Sequence, residues 1–600
     1  MTESIKDKII REYIEKYREN STKIDYYKLS AEDGLTTYFY DELPQTEING
    51  YPIASDFVSP DGKTVTVLDY QNLTKEEQKS CRLRYYYLPK NHEIYIGTTG
   101  CGKTTGCVEP QIRAISSQKN KPCLFVSDPK GELFDHNAEH LKKQGYKLFV
   151  LNFKDIENSD MWNPLLDLYD LKMKINKIGT DYEQIEGDIP ENCKLIGSKS
   201  DYDKSTVHYK YENKVFSTKE LFKNYINYKK SLLESDLDSL VNQFASMMIE
   251  VQSKTDKSWE YGAQNLLKGL IFCMLDDASD PTARFNRSHM NFKTLADYYN
   301  KIKTPILSGR VDLRDMPFMH KKSEKAKRLM STALNNAQNT MKSYCGVFDD
   351  SVKDWFQGHI FALTFGNTID ISNENDEPFA IFLITRDYEK SDFTIAGLFV
   401  DWLYRRILEG YENNTFKREL HFMLDEFGNI PKIKDFENKV STSRSRNIWF
   451  HLVLQSFSQL INVYGDQVSQ IILDNCSQIF MGSTNSATKE LFSKSCGNCT
   501  IPTLQSVLYP TDNTLVSEPL IPVSTLNFIK PGQIYTLRYG FPVIMSQYVR
   551  SYIVAEQGTF ADRLHANGLK TCLPSHEEIR SSGIYEYKRV TTSFDTEFID

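Results

Sequence analysis

Long apolar runs are absent from this sequence. None of its 600 residues falls in an apolar stretch of about 18 residues, the length that a membrane-spanning helix needs. The longest candidate, residues 269–275, is short and follows Lys268. The first residues are charged throughout, which argues against a secretory signal. We therefore expect a cytoplasmic chain that does not span a membrane.

Glycine, proline and basic charge are also limited. The chain has 29 glycines and 21 prolines, too few for a collagenous or low-complexity protein. Its 11 cysteines are scattered and odd in number, and without a signal sequence we expect reduced thiols. The formal net charge of −8 argues against a protein that wraps nucleic acid over a basic surface. Any nucleic-acid contact is therefore expected to be local.

The composition and the pattern of apolar residues indicate a soluble globular chain with an α/β region. From residue 93 onward, short apolar runs alternate with helical stretches, which predicts a parallel sheet. The alternation stops after Asn163-Pro164, and the chain to about residue 356 has a mainly helical pattern, clearest at 241–251 and 259–275. Predicted strands lie at residues 94–96, 123–127, 148–152, 359–365, 379–384, 420–424, 448–454, 478–481, 533–538 and 542–545. We therefore predict one α/β domain that is interrupted by a helical domain.

This pattern divides the chain into four regions. Residues 1–88 form a polar and aromatic N-terminal region, and residues 89–165 with 357–556 form the α/β domain. Residues 166–356 form the helical insert, in which 170–215 has the pattern of a surface loop, and residues 557–600 form a weakly structured tail. An amphipathic helix is predicted at residues 4–20, which either docks on a membrane or partner or packs on its own protein.

A phosphate-binding loop (P-loop) follows the first predicted strand. Residues 97–104 match the pattern G-x-x-x-x-G-K-[ST], with a strand before them and a helix after them. Such glycines let backbone N–H groups face a phosphate chain, and the helix N-terminus adds its positive dipole end. Lys103 is expected to reach the β- and γ-phosphates of ATP, and Thr104 to bind Mg²⁺. The candidate nucleotide-binding residues are Gly97, Thr98, Thr99, Gly100, Cys101, Gly102, Lys103, Thr104 and Thr105.

Kinases, switch GTPases and motors all contain a P-loop. A pair of acidic residues distinguishes among these classes. The apolar strand 420–424 ends in Asp425-Glu426. Asp425 at the strand end can hold Mg²⁺, and Glu426 can act as general base toward the attacking water. An acidic pair after an apolar strand is typical of ATP-hydrolysing motors. We therefore predict an ATPase.

Two further candidates lie close behind this pair. Strand 448–454 ends in Gln455, which one strand–helix–strand unit would bring to the same sheet edge as Asp425, where it can sense the γ-phosphate. Between the acidic pair and Gln455, Arg444 and Arg446 lie in a Ser-Arg-Ser-Arg turn. In a ring, one of them could reach the ATP of the neighbouring subunit as an arginine finger, and we favour Arg444. The alternative is that both arginines are only solvated.

Taken together, the motifs resemble the coupling-protein ATPases of conjugative type IV secretion systems over most of residues 90–550. The most specific stretch runs from Leu424 to Gly482 and holds, in order, DEFGNI, TSRSR, LQSFSQL, YG, NC and FMG. Earlier segments, VSDPKGE at 126–132 and MWNPL at 161–165, are also similar to that family.

The resemblance implies a RecA-like P-loop domain with an inserted all-α domain, assembled as a homo-hexamer that hydrolyses ATP and pumps DNA. It also implies two kinds of partner. One is single-stranded DNA with a bound relaxase (the relaxosome), and the other is the ATPases of the secretion channel. By position it assigns phosphate and Mg²⁺ binding to Lys103 and Thr104, the acidic pair to Asp425 and Glu426, and the sensor to Gln455. It places Arg444 at the arginine finger and Asp128 at an acidic position near the nucleotide.

One departure is that family members usually begin with transmembrane helices. We therefore expect either a separate small membrane protein that recruits this chain to the cytoplasmic face of the membrane, or a soluble relative. The alternatives are a soluble hexameric DNA translocase or helicase-like motor without a secretion partner, and a receptor that uses ATP only as a switch. The Asp425-Glu426 pair argues against the switch, since a switch does not need the base.

Three other features allow more than one interpretation. Residues 316–345 carry six basic side chains against one acidic, which suits either a phosphate backbone or a solvated helix face. Cys496 and Cys499 form a single CxxC without a second pair at zinc spacing, which makes a metal site a weak hypothesis. Residues 595–600 are acidic and suit a partner contact or a solvated terminus.

Overall fold

The computed structural model describes residues 24–25, 35–48, 50–65, 67–189, 207–251, 257–309, 322–371, 377–386, 389–502, 515–529, 533–539, 543–546 and 576–583. The chain divides into two compact units. The sheet unit comprises Met1–Asp155 with Asp370–Tyr587, and the helical unit comprises Ile156–Ile369 with Lys588–Asp600. Within the described ranges, none of the helices has the length and apolar character needed to cross a membrane.

The strands are numbered in chain order. They are β1 (Ile24–Asp25), β2 (Thr36–Phe39), β3 (Tyr51–Val58), β4 (Thr64–Val65), β5 (Arg82–Leu88), β6 (His92–Gly97), β7 (Cys123–Ser127), β8 (Lys147–Asn152), β9 (Glu183–Glu186), β10 (Val207–Tyr211), β11 (Lys214–Phe216), β12 (Phe379–Ile384), β13 (Leu420–Leu424), β14 (Ile448–Leu454), β15 (Cys476–Gly482), β16 (Asn498–Pro502), β17 (Leu515–Pro519), β18 (Ile534–Leu537) and β19 (Ile544–Ser546).

The α-helices are numbered in the same way. They are α1 (Val67–Asn72), α2 (Lys75–Ser80), α3 (Glu109–Ser116), α4 (Glu132–Lys143), α5 (Leu165–Lys177), α6 (Lys219–Met248), α7 (Ser258–Ser279), α8 (Phe292–Ser308), α9 (Glu324–Leu334), α10 (Gln338–Val352), α11 (Gly358–Leu363), α12 (Lys390–Glu412), α13 (Phe436–Thr442), α14 (Phe457–Tyr464), α15 (Asp466–Asp474), α16 (Ser486–Ser495), α17 (Val523–Leu526) and α18 (His576–Ser581).

A ten-stranded sheet forms the centre of the sheet unit, in the order β1-β19-β18-β15-β6-β14-β13-β7-β12-β8. From β15 to β8 all neighbours run parallel, while β18 runs antiparallel to β15 and to β19. The carboxyl ends of the parallel strands therefore meet at one edge. This arrangement confirms the predicted α/β fold class with a parallel central sheet.

Both faces of this sheet are covered, which explains why its strands are continuous apolar runs. On one face, Leu133 and Phe134 of α4 join a buried cluster with Val126 and Phe382 of the sheet. On the other face, the ring of Phe399 on α12 stacks on Phe125 at a centroid distance of 5.5 Å. Because β7, β12, β13 and β14 are buried throughout, each was recognisable in the sequence over its full length.

A row of buried polar side chains crosses the amino half of the sheet. The carboxylate of Glu93 accepts hydrogen bonds from Tyr95 (2.7 Å), Gln111 (2.9 Å) and Nδ1 of His451 (2.8 Å). The other ring nitrogen of His451 lies 3.0 Å from Nδ1 of His421. Each of these side chains therefore has at least one polar partner within the row, as is usual for buried polar groups. They also explain why β6 begins at His92, two residues before the apolar run that predicted it.

The N-terminal part of the sheet unit contains a four-stranded antiparallel sheet in the order β2-β5-β3-β4. The ring of Phe57 on β3 stacks on Tyr70 of α1 at 3.7 Å. Tyr51, at the start of β3, makes edge contacts with the rings of His421 and His451 in the large sheet. The helix predicted at residues 4–20 lies outside the described residues.

The helical unit is mainly rather than purely helical. It contains α5 to α11, together with a three-stranded antiparallel sheet in the order β11-β10-β9. The loop predicted over residues 170–215 was therefore wrong in part, because α5 continues to Lys177 and β9 to β11 cover several of these residues. The short strands are held by aromatic packing that a polar sequence hides, such as the ring of Tyr209 stacked on Phe222 at 5.9 Å.

The strand predicted at 359–365 was wrong, since residues 358–363 form helix α11. Ile360 and Leu363 are buried three residues apart, which is helical spacing. A short apolar run alone does not distinguish a buried strand from a buried helical turn. The strands predicted at 478–481, 533–538 and 542–545 are present as β15, β18 and β19.

The basic segment 316–345 contains cations that are already paired within the helical unit. Lys322 is buried and forms an ion pair with Asp277, and Lys325 pairs with Asp238. Lys327 lies 3.2 Å from Glu324. These pairs leave less positive charge for a phosphate backbone than the composition indicated. Lys321 lies outside the described residues.

Three expectations concern the C-terminal part of the chain: the tail, its acidic end and the cysteine pair. Within the tail, α18 carries Ile579, which is fully buried in the core cluster of the sheet unit, so this turn is not a loose tail. Residues 595–600 lie outside the described part. Cys496 is buried, and among the described residues no group of three or more His, Cys, Asp or Glu side chains is placed to hold a metal ion.

Candidate active site

The P-loop connects β6 to a helix, as the motif predicts. Gly100 and Gly102 have φ of 82° and 91°, a left-handed conformation that glycine adopts without strain. A methyl group at Gly97 would collide with Cys101 Sγ, so the start of the loop also needs glycine. After the loop, residues Thr104–Val108 form a wide π-helical turn that continues into α3. This wide turn was not predicted.

Lys103 lies over the start of the loop. Its Nζ donates hydrogen bonds to the carbonyl oxygens of Gly97 at 2.5 Å and Thr98 at 3.1 Å. The hydroxyl of Thr104 forms no hydrogen bond with any described residue and remains free to bind a ligand. A phosphate group has a full negative charge, so it competes well with neutral carbonyls for the lysine ammonium group.

The acidic pair follows β13. The carboxyl group of Asp425 is partly buried, and this burial together with Glu426 raises its pKa to about 6, against the opposing effect of Lys103 and Lys130. Glu426 has φ of 52°, and its Oε2 accepts a hydrogen bond from Asn429 Nδ2 at 2.8 Å. Asp425 and Glu426 thus place two carboxyl groups next to each other at this edge of the sheet.

The oxygen donors at this edge fit a magnesium ion. Mg²⁺ prefers hard oxygen ligands and is held by few protein groups at nucleotide sites. The Thr104 hydroxyl and the Asp425 carboxylate supply such oxygens at the same sheet edge. A cation bound nearby would favour the charged form of the Asp425 carboxyl group and would therefore lower its raised pKa.

Asp128 follows β7 at the same edge but is fully engaged with the backbone. One carboxylate oxygen accepts the Gly131 N–H at 2.9 Å, and the other accepts the Phe134 N–H at 2.8 Å. Burial raises the pKa of Asp128 to about 7, although these backbone bonds lower it, and Asp425 adds to the increase. The side chain therefore fixes the first turn of α4. A contact with the nucleotide stays a prediction.

The register of the sheet places Gln455 between the P-loop and the acidic pair. β14 lies between β6 and β13 and runs parallel to both, with Leu454 opposite Ile96 and Leu452 opposite Leu424. Gln455, the next residue, is therefore at the carboxyl edge that also holds Lys103 and Asp425. The structure brings these residues together, whereas their roles in catalysis stay predictions.

Sequence reasoning missed one residue of this edge. The side-chain oxygen of Gln459, on α14, accepts the backbone N–H of Gln455 at 2.9 Å. The same side chain lies against Gly428 in the turn after Glu426. Gln459 lies within the LQSFSQL segment, and its spacing of four residues from Gln455 at the start of a helix was the available signal.

Arg444 lies at the opposite, amino edge of the sheet. It belongs to the 3-10 turn Ser443–Arg446, which directly precedes β14. Its guanidinium group is exposed and contacts no hydrogen-bond or ion-pair partner in the described parts of the chain. By contrast, Arg446 donates to the Thr442 carbonyl at 3.1 Å. Within one chain, Arg444 is therefore not brought to Lys103 or Glu426.

Comparison with known proteins identifies the family to which this arrangement belongs. Residues 58–538 match the family described as Type IV secretory system Conjugative DNA transfer. The chain belongs to this family. The match confirms the resemblance inferred from the motifs, and it covers the P-loop, the acidic pair, Gln455 and Arg444.

Curated members of this conjugative DNA-transfer family are distant relatives of the chain. Protein VirD4 of Rhizobium radiobacter is 24% identical over 417 residues, which is 68% of this chain and 48% of that protein. Protein VirD4 of Agrobacterium fabrum is 22% identical over 273 residues, which is 42% of this chain and 40% of that protein. The chain spans less than half the length of these curated relatives.

Solved structures with a similar fold include the plasmid coupling protein TrwB. An unbound monoclinic form has a TM-score of 0.49 and 14% identity, covering 84% of this chain and 97% of that chain. A complex of TrwB with ADP and Mg²⁺ has a TM-score of 0.46 and 13% identity, covering 84% and 94%. VirB4 of Thermoanaerobacter pseudethanolicus has a TM-score of 0.41 and 11% identity, covering 85% and 99%.

Proposed function

We propose that this chain is the ATP-hydrolysing coupling protein of a conjugative type IV secretion system. It recruits a relaxase-bound DNA strand and drives that DNA into the secretion channel. The observation that carries the proposal is the placement of Lys103, the Asp425-Glu426 pair and Gln455 at one edge of one parallel sheet. Membership of the conjugative DNA-transfer family supports DNA as the transported molecule.

Five side chains at this edge take part in ATP hydrolysis. Lys103 exchanges its two carbonyl contacts for the β- and γ-phosphate oxygens. The Thr104 hydroxyl and the Asp425 carboxylate hold Mg²⁺, which neutralises charge on the phosphate oxygens. Glu426 accepts the proton of the attacking water. Gln455, on the strand between the two motifs, responds to the presence of the γ-phosphate.

One carboxylate oxygen of Glu426 is held by its own turn. Its Oε2 is occupied by the amide of Asn429 at 2.8 Å, and both residues belong to one tight turn. Movement of this turn changes how Glu426 faces the attacking water, so DNA or a neighbouring subunit can control hydrolysis through it.

The position of Arg444 supports an active homo-hexamer. An exposed arginine at the amino edge of the sheet is far from its own nucleotide site and is available to an adjacent subunit. A head-to-tail ring places unlike surfaces in contact, so that one subunit completes the site of the next. Arg444 then stabilises the charge on the transferred phosphoryl group in trans.

Mixed rings test the role of Arg444. Lys103→Ala and Arg444→Ala proteins are each expected to hydrolyse ATP at background rates. In a 1:1 mixture, about a quarter of the interfaces join an intact P-loop to an intact arginine, so about a quarter of the wild-type rate should return. Steady-state phosphate release across mixing ratios measures this recovery.

The matched control is Arg446→Ala. Its guanidinium group contacts only the Thr442 carbonyl of its own turn among the described residues, so hydrolysis should stay near the wild-type rate. Mixtures that stay at background at every ratio, although the proteins form rings, would contradict a finger in trans.

The coupling role itself is tested in cells that carry the complete transfer operon. Deletion of the gene should abolish DNA transfer, the wild-type gene should restore it and Lys103→Ala should not. The tagged protein should co-purify with the relaxase and with the channel ATPases, and should fractionate with the membrane through a separate small membrane protein. DNA-stimulated hydrolysis without these partners, with transfer intact after deletion, would instead indicate a soluble translocase.

A further inference from the structure

The side chain of Gln459 connects two loops that hold different parts of the active site. Its Oε1 accepts the N–H of Gln455 at 2.9 Å. The donor is a backbone amide, so the acceptor must be the amide oxygen of the glutamine side chain. This bond fixes the backbone at the point where β14 ends and the sensor residue begins.

The same side chain also restricts the residue type at Gly428. A methyl group at Gly428 would lie 2.7 Å from Oε1 and 2.9 Å from Cβ of Gln459, closer than such atoms approach. Gly428 is not among the glycines with positive φ, so its backbone does not itself require glycine. Glycine is needed there because Gln459 packs directly on the turn.

The turn that contacts Gln459 also carries the proposed base. Residues Phe427–Asn429 form one 3-10 turn immediately after Glu426, and Asn429 holds the Glu426 carboxylate at 2.8 Å. A displacement of Gly428 therefore changes the position of Glu426 and of its amide partner together. Gln459 is in contact with the segment on which the base depends.

The helix that presents Gln459 is firmly placed. Phe457 and Leu460 of α14 are buried, and the ring of Tyr464 stacks on Phe427 at a centroid distance of 5.8 Å. The hydroxyl of Tyr464 also accepts the Ile433 N–H at 3.2 Å. A side chain on a rigid helix transmits small displacements between the groups it contacts, because its own position is set by packing.

We propose that Gln459 is a positioning residue that fixes the distance between the sensor loop at Gln455 and the turn of the catalytic base at Gly428. This inference rests on the proposed ATPase function and deepens it. When Gln455 shifts with the state of the γ-phosphate, Gln459 carries the shift to the Glu426 turn. Loss of the link leaves the P-loop intact, so nucleotide binding is retained while hydrolysis slows.

The test uses Gln459→Met and Gly428→Ala in the full chain. Methionine keeps the length of the side chain but cannot accept the Gln455 amide well. Each variant is expected to lower the single-turnover hydrolysis rate by about 10- to 100-fold, since small misplacements of catalytic groups have effects of that size. The Kd for ATP should stay within about twofold of wild type, because Lys103 and Thr104 are untouched.

The double variant separates a shared link from two independent defects. If both substitutions act through the Gln455–Gln459–Gly428 contact, the double variant should be no slower than the slower single variant. The matched control is Gln470→Met on α15, an exposed glutamine whose amide contacts Asp474, which should hydrolyse ATP at the wild-type rate. Melting curves of all variants identify those that fail to fold.

The outcomes distinguish this inference from the function on which it rests. Wild-type protein without ATPase activity, or Glu426→Gln without effect, would overturn the proposed function. Loss of activity in Glu426→Gln combined with wild-type rates in Gln459→Met and Gly428→Ala would overturn only the role of Gln459. Weakened ATP binding in proportion to the lost rate would also overturn it, because a positioning role predicts a change in rate at constant affinity.

Discussion

Glu426→Gln is expected to slow single-turnover ATP hydrolysis by about 100- to 10,000-fold, which is the usual contribution of a general base. The substitution keeps the size of the side chain and its ability to contact Asn429, but removes the group that takes the proton. Asp425 and the P-loop are unchanged, so ATP and Mg²⁺ should bind as in the wild type.

The companion variant for this prediction is Lys103→Ala. It removes the cation at the phosphates and should weaken ATP binding as well as hydrolysis. The two variants therefore have different signatures: retained affinity with a lost rate for Glu426→Gln, and loss of both for Lys103→Ala. Turnover by Glu426→Gln at the wild-type rate would show that this carboxylate is not the base and that the motor interpretation is wrong.

Wild-type protein is expected to lose about 3 kcal/mol of unfolding free energy through His92 between pH 6.5 and pH 4, and His92→Asn should not show this loss. His92 is fully buried at the start of β6, and its Nδ1 accepts the Phe450 N–H at 3.1 Å. Burial, with smaller contributions from His451 and Arg444, lowers the pKa of His92 to about 3. Protonation would both charge a buried ring and break this hydrogen bond.

The direction of the effect follows from which state binds the proton. The unfolded chain protonates His92 near its ordinary pKa of 6.5, whereas the folded protein does so only near 3. The contribution of His92 to stability is therefore complete above pH 6.5 and falls as the pH decreases toward 3, by about 1.4 kcal/mol per unit. Asparagine supplies an acceptor oxygen at the same distance from the backbone and does not titrate.

The measurement is the difference in unfolding free energy between wild type and His92→Asn at each pH, from urea unfolding followed by fluorescence. Trp449 lies 5.6 Å from the His92 ring and reports on this region. Using the difference removes the contribution of other titrating groups, such as Asp128. A difference that is constant from pH 7 to pH 4 would show that His92 protonates as readily in the folded protein as in the unfolded chain.

Local patterns predicted the parts of the fold whose surroundings are uniform. β7, β12, β13 and β14 were found over their full lengths because both faces of the sheet are buried, so that most residues of each strand are apolar. Strand β6 was found only in part, since His92 and Glu93 are buried through hydrogen bonds to side chains from other strands. Helix α11 was taken for a strand because a short apolar run, residues 360–363, fits either element.

By itself, the sequence identified the candidate residues of the site. Gly100, Gly102 and Lys103 were recognisable because the backbone of a phosphate loop needs particular residues at particular spacings, and Asp425 and Glu426 because they end an apolar strand. Only the tertiary structure decided which of these groups meet: it places Gln455 between them, Arg444 at the opposite edge and Gln459 against Gly428. Such contacts join elements that are distant in the chain, and they depend on the order of strands and on packing, which no local pattern records.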